Sequence, residues 1–119
     1  SSENVEQVSS SSGEVTVDLS KGQTFNLNIT ENITTFVVAN PKSDSTTFTI
    51  KMTQPSGSTY SVGIDTFRNG STGAAATCFW PGGVIPTVTQ TAGRTDIYSF
   101  KTFDGCASFF GVVGGQGFA

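Results

Sequence analysis

Apolar and polar residues alternate with a period of two along most of this chain. The alternation runs through residues 15–19, 25–29, 33–39, 48–52 and 60–64, and turn residues such as Lys21-Gly22 and Asn40-Pro41 separate these segments. Because successive side chains of a strand point to opposite faces, each segment predicts a half-buried β-strand. We expect the first two strands to be antiparallel neighbours. No apolar pattern at helical spacing continues for ten residues, so the chain is predicted to be all-β.

The pattern changes after residue 64. Between residues 65 and 86 the alternation fails, and the small, polar and glycine-containing segment 68–76 predicts a long surface loop. A further strand is predicted over residues 95–103, with apolar side chains on both faces. Asp104-Gly105 is a favoured pair for a hairpin turn, and a last strand is predicted over residues 107–113.

About seven or eight short strands, with turns at intervals near ten residues, indicate an antiparallel β-sandwich or jelly roll. This domain spans residues 14–119, and a closed barrel is the alternative architecture. Few lysines are present to protect the sheet edges, and the last strand is followed by glycines and Phe118. We therefore expect copies of the chain to cover these edges for one another in a homodimer or homotrimer.

Residues 1–13 differ from the rest of the chain, because Val5 and Val8 are their only apolar side chains. Such a segment cannot bury enough surface to offset the conformational entropy lost on ordering. It is predicted to be a flexible N-terminal arm in the isolated protein, held by a partner in an assembly. Val5 and Val8 are therefore candidate partner contacts.

Composition argues against several functions. Six basic and nine acidic side chains give the 119 residues a net charge of −3 without a basic stripe, so we expect no nucleic-acid binding. No apolar run approaches the roughly 20 residues of a membrane span. Histidine, the commonest general base and metal ligand, is absent. We expect no metal, no cofactor and no enzyme activity, unless folding brings two of the scattered carboxylates together as in a glycosidase.

Cys78 and Cys106 are the only cysteines. They could form one disulfide that closes a loop of about 29 residues and contributes about 3 kcal/mol in the chain-entropy model. The alternative is a pair of buried thiols in a protein that assembles inside a reducing cell.

Further candidate partner contacts lie in the second half of the chain. The predicted loop 68–76 is the favoured contact segment, because loops vary without disturbing the core, and it begins with Arg68 and Asn69. Trp80 precedes a Pro-Gly-Gly turn, where it fills the end of the core or an interface, or else joins Tyr60 in a platform for sugar rings. Phe118, in the glycine-rich tail, completes the candidates.

Several short motifs follow one another in a fixed order. They are Phe25-Asn26-Leu27-Asn28-Ile29-Thr30, Asn40-Pro41, the strand 47–54, Trp80-Pro81-Gly82-Gly83 with Pro86 shortly after it, Asp96-Ile97-Tyr98-Ser99-Phe100, and Asp104-Gly105. This ordered set resembles a small all-β module at the ends of tailed-bacteriophage virion proteins, including fibre and capsid-surface proteins. The segment 68–76 departs from that pattern, in which the connection before the Trp-Pro-Gly-Gly turn is often short.

The resemblance implies a structural protein of the virion and transfers no catalytic residues. Because the module is nearly the whole chain, we expect a capsid decoration or cement protein on the outer surface of the capsid, bound to the major capsid protein. The alternative is a fibre, horn or tail-associated host-adhesion module that binds surface carbohydrate.

Overall fold

The computed structural model describes residues 4–119 and shows an all-β chain of ten strands within that range. One short 3₁₀ turn, Pro81–Gly83, interrupts them. The strands are β1 (Val5–Val8), β2 (Ser10–Ser11), β3 (Glu14–Asp18), β4 (Thr24–Asn28), β5 (Thr35–Ala39), β6 (Thr46–Thr53), β7 (Thr66–Asn69), β8 (Ala75–Phe79), β9 (Thr95–Thr102) and β10 (Ser108–Phe118). The prediction of an all-β fold is confirmed.

All ten strands belong to one mixed sheet that is nearly closed into a barrel, in the order β1-β4-β6-β9-β10-β8-β7-β5-β3-β2. Strands β3, β5 and β7 are parallel to one another on one side, and β1, β4 and β6 are parallel on the other. From β3 to β7, each strand along the chain lies on the opposite side of the barrel from the one before it. Strands that are two apart along the chain, such as β3 and β5, are therefore parallel neighbours, because the strand between them returns the chain to the other end of the barrel.

This architecture corrects the expected sandwich or jelly roll of seven or eight antiparallel strands. The first two predicted strands, β3 and β4, do not pair with each other, since β3 pairs with β2 and β5 while β4 pairs with β1 and β6. A period of two reports which face of a strand is buried, but it does not report which strand lies beside it.

The N-terminal segment also differs from the expected flexible arm. Residues 1–3 of that arm lie outside the described residues. Strand β1 is parallel to β4 over four residue pairs, and β2 pairs with β3 through a hairpin whose turn residues, Ser12 and Gly13, both have positive φ. Such a two-residue turn matches the twist of the strands. Because only Ser9 separates β1 from β2, one continuous segment spans both edges of the sheet.

Three further expectations about strands and turns differ from the structure. The fifth predicted strand, residues 60–64, forms only an isolated bridge between Ile33 and Val62. The predicted loop 68–76 overlaps the ends of β7 and β8, which pair as a hairpin, so that only residues 70–74 connect them. A five-residue loop rather than a two-residue turn joins β9 to β10. The last strand is also not an edge strand, because it lies between β8 and β9 in the middle of the sheet.

The interior of the barrel is packed with aromatic rings from opposite sides. Phe48 and Phe67 face each other across the core with ring centroids 6.4 Å apart, and both contact Phe100 and Phe109 at 4.9–6.0 Å. All four rings are fully buried. Such close ring contacts add to the hydrophobic stabilisation of the buried area itself.

A buried carboxylate ties the C-terminal strand to the core. Asp96 on β9 accepts hydrogen bonds from the Thr89 amide (2.8 Å) and hydroxyl (2.7 Å), from the Tyr98 hydroxyl (2.6 Å) and from the Gly117 amide (2.8 Å). Gln116 donates in turn to the Tyr98 hydroxyl. One side chain therefore fixes the end of β10 and the segment that precedes β9.

Deleting residues 1–8 is expected to destabilise the domain by about 1–3 kcal/mol. The backbone hydrogen bonds between β1 and β4 are lost, and each has a net contribution of about 1 kcal/mol. The hydrogen bond from Asn26 to Gln7 and the packing of Val8 against the core are lost with them. Urea unfolding of this variant, beside a truncation of residues 1–3 that leaves β1 intact, measures the effect. Equal midpoints for the two truncations would contradict a structural role for β1.

Candidate functional site

The most distinctive feature of the surface is a group of apolar side chains on the outer side of β8, β10 and the end of β9. Phe79, Phe103, Phe110 and Val112 are each between 49% and 63% exposed. The Phe110 ring contacts the rings of both Phe79 and Phe103 at 5.7 Å. We call these four residues the aromatic face. A contiguous exposed patch of this kind marks an interaction site more often than scattered apolar residues do.

Strand register brings these residues together. Phe110 on β10 pairs with Phe79 on the parallel strand β8 and with Lys101 on the antiparallel strand β9. The alternation that buries Cys78 and Phe109 turns Phe79 and Phe110 outward. Cross-strand neighbours lie about 5 Å apart, so the outward rings must touch.

The surface of the aromatic face is uneven. Phe110 and Val112 form a ridge along β10 with a shallow groove on each side. The groove towards β9 encloses about 310 Å³ and includes Lys101 and Phe103 in its lining, and the groove towards β8 encloses about 260 Å³ and includes Phe79 and Pro81.

Charge is distributed unevenly around the aromatic face. The outward positions of β6, β8, β9 and β10, all within the described residues, include no carboxylate and two lysines, Lys51 and Lys101. The Lys101 ammonium lies 5.0 Å from the centre of the Phe103 ring, within the range of a cation–π contact. On a chain of net charge −3, the outward positions of these four strands are therefore apolar or neutral apart from the two lysines, and the exposed Asp104 follows Phe103 in the next loop.

The loop beside Phe103 is held by a carboxylate. Asp104 accepts hydrogen bonds from the Ser108 hydroxyl and amide, from the Ala107 amide and from the Thr102 hydroxyl. These hydrogen bonds, led by the Ser108 hydroxyl, lower the pKa of Asp104 below its ordinary value of 3.8. The carboxylate stays ionised at neutral pH and organises the loop that follows Phe103.

The structure does not bring the sequence-predicted contact residues together. Val5 is exposed on β1, whereas Val8 is partly buried against the core. Arg68 lies on β7 and forms an ion pair with Glu14 at 2.7 Å. Asn69 accepts hydrogen bonds from two amides of the β7–β8 turn, so its side chain serves that turn. Strands β1 and β7 are not neighbours in the sheet.

The remaining two predicted contacts have different environments. Trp80 is only 6% exposed, and its indole N–H donates to the Ile64 carbonyl at 3.0 Å. Its ring also lies against Gly111, where a β-carbon would come within 2.6 Å of the indole. Trp80 is therefore a core residue. Phe118 is 49% exposed at the far end of β10 from Phe110.

Cys78 and Cys106 are both buried and free, so the disulfide weighed from the sequence is absent. Burial, helped by the negative charge of Asp65, raises the pKa of Cys78 to about 12. Burial, helped by Asp104, raises the pKa of Cys106 to about 11. Thiols with such pKa values contain almost no thiolate at neutral pH and are unreactive.

One groove does gather carboxylates. Where β1 departs from β3, a groove of about 310 Å³ is lined by Glu6, Glu14 and Asp18 among other residues. Each carboxylate is already engaged: Glu6 with Asn4, Glu14 with Arg68, and Asp18 with Ser20 and Asn40. The hydrogen bond from Asn40 is the largest of the effects that lower the pKa of Asp18. Asp18 therefore lacks the raised pKa that the general acid of a glycosidase needs.

Sequence reasoning missed Phe79, Phe110 and Val112 as surface residues. A signal was present in the adjacent pair Phe109-Phe110, because a strand cannot bury two consecutive side chains on one face. Phe103 is brought to that position by the β9–β10 hairpin, whereas the convergence of Phe79 on it had no local signal. It depends on the pairing of β8 with β10, strands whose facing residues are about 30 positions apart.

No protein-family model matches this chain, and no curated protein and no solved structure matches it either. Within residues 4–119 no group of three or more cysteines or carboxylates is placed to hold a metal ion. That part of the chain also has no helix whose length and apolar character would let it cross a membrane.

Proposed function

We propose that this protein is a structural protein of a bacteriophage virion, a decoration or cement protein that binds the outer surface of the capsid and stabilises the shell of major capsid protein. The aromatic face is the observation that carries this proposal. Half-exposed rings on a rigid part of the sheet fit a subunit of a permanent assembly, in which they lie against the capsid or against another copy of the chain, because burying them removes apolar area from water.

The rest of the molecule fits a non-catalytic role. The buried thiols are unreactive, and the carboxylates of the groove beside β1 and β3 are hydrogen-bonded or ion-paired. The ordered motifs from Phe25 to Gly105 add the resemblance to phage virion modules. Many identical weak contacts over a shell would add up to firm attachment, since each raises the effective concentration of the next.

The alternative is a fibre, horn or tail-associated protein that binds host carbohydrate. As inferred from the sequence, it depended on an exposed platform formed by Trp80, Tyr60 and the segment 68–76. Trp80 is buried, and Tyr60 is partly buried against the core. Among residues 4–119, the grooves beside the exposed rings have no carboxylate or carboxamide side chain in their lining, whereas a sugar site needs such groups to orient the ligand. We therefore favour the capsid location.

Electron microscopy of virions with and without this protein tests the proposal. We expect density for the domain at regular positions on the outside of the shell, and we expect shells that lack it to break at lower temperature. Re-addition of purified protein should restore both properties. Density at the tail or fibres, or none on the particle, would overturn the capsid assignment.

A further inference from the structure

The distribution of charge limits what can lie against the aromatic face. None of the nine acidic residues occupies an outward position of β6, β8, β9 or β10, whose residues are all described. Two copies of this chain that approach through this side therefore meet without opposed carboxylates on these strands, and the exposed Asp104 lies in the loop that follows Phe103.

The shape of the aromatic face is complementary to that of a second copy of the chain. The Phe110–Val112 ridge stands between two grooves of about 310 and 260 Å³, a volume in which a phenyl ring fits. In a two-fold interface the same surface meets itself, so each ridge enters a groove of the other copy and every contact occurs twice. Lys101 lies at the edge of one groove, where its flexible stem can cover apolar surface while the ammonium stays in water.

The outer surface of β6, β8, β9 and β10 is large enough for a small specific dimer interface. Four neighbouring strands at about 4.8 Å spacing, with about eight residues each at 3.3 Å, present a face of roughly 19 by 26 Å. That is on the order of 500 Å² in projection, comparable with the roughly 600 Å² per partner of the smaller specific interfaces. The outward residues around the rings, such as Thr47, Thr49, Thr77 and Ser99, are neutral and small enough to form its rim.

We infer that the partner at the aromatic face is a second copy of this chain, and that the protein is a two-fold, face-to-face dimer in solution. This inference rests on the proposed function in one respect: it takes the same face as a contact surface. The dimer leaves the opposite side of each barrel, which contains β1, β2 and β3, free to contact the capsid.

Sedimentation velocity of the purified protein over about 1–300 μM tests this inference, because interfaces at the small end of the size range support weak, concentration-dependent association. We expect a monomer–dimer equilibrium in the wild type. Phe110→Asp should weaken the dimer by about 30-fold or more, the effect of losing a central interface residue. Val5→Asp is the control, since Val5 is also an exposed apolar residue of a strand but lies on β1, on the opposite side of the barrel from β10. This control should dimerise like the wild type.

Circular dichroism melts establish that each variant is folded, and Val112→Asp provides a second disruption of the ridge if Phe110→Asp does not fold. A wild type that is monomeric at all concentrations, a trimer, or a dimer unaffected by both ridge variants would overturn the inference. Because these measurements use isolated protein, their outcome is independent of whether the protein is found on the capsid. If the protein is on the capsid but dimerises through another surface, only the inference about the aromatic face fails. If the dimer forms through the aromatic face but the protein is not on the capsid, only the proposed function fails.

Discussion

Replacing Asp96 by asparagine is expected to lower the free energy of unfolding by about 2–6 kcal/mol, because asparagine leaves two of the four donors unpaired at about 1–3 kcal/mol each. Asp96 is 1% exposed, and both of its oxygens accept hydrogen bonds. The amide group of asparagine would present its own hydrogens to two of these donors. The loss is a large part of the 5–15 kcal/mol that stabilises a typical domain.

Acid should reduce the difference between the wild type and this variant. Burial alone raises the pKa of Asp96, but the hydrogen bonds from Thr89, Tyr98 and Gly117 outweigh it and bring the pKa below 3.8. The carboxylate therefore stabilises the fold fully above the pKa of the unfolded chain, and this contribution is lost as the pH falls through the lower pKa of the folded chain.

Urea unfolding of the two proteins at pH 7 and at several values below 3.8 measures this dependence. Asp44→Asn, which removes the same charge from an exposed turn, is the control and should unfold like the wild type at pH 7. A stability difference that stayed constant to the lowest pH, or a variant as stable as the control, would show that the hydrogen bonds to Asp96 do not stabilise the fold.

Replacing Trp80 by alanine is expected to destabilise the domain by about 3–5 kcal/mol, the usual cost of removing a large buried ring. The indole packs edge-to-face against Tyr98 and Phe100 and covers Gly111, and the hydrogen bond to the Ile64 carbonyl is lost with it. Thermal unfolding followed by circular dichroism measures the effect.

The neighbouring residue supplies the control for Trp80. Phe79 precedes it on β8 but is half exposed, so Phe79→Ala, measured at protein concentrations at which the chain is monomeric, should cost less than about 1 kcal/mol. Tryptophan fluorescence gives an independent readout, because a buried Trp80 should be shielded from acrylamide in the native protein and quenched after unfolding. Comparable losses of stability for the two variants, or a quencher-accessible Trp80, would mean that Trp80 is not in the core.

The aromatic face illustrates why only part of the site follows from the sequence. The pair Phe109-Phe110 forces one ring outward in any strand, so one exposed aromatic residue could be expected there. Its meeting with Phe79 depends on a parallel pairing between strands that are distant in sequence. Local patterns do not encode such a pairing. For the same reason, local patterns did not reveal that Arg68, Asn69 and Trp80, which were predicted to contact a partner, make their contacts within the fold.

The sequence by itself determined that the chain is all-β and which residues of β3, β4, β5 and β6 are buried, because the period of two is a local property of an extended backbone. Only the tertiary structure decided that these strands form one mixed, nearly closed sheet, with β1 and β2 at its two edges. It also decided that residues 66–69 and 75–79 are strands, although their small and polar side chains gave no alternation. Backbone hydrogen bonds to neighbouring strands hold such segments in place, and those partners are chosen by the packing of the whole core.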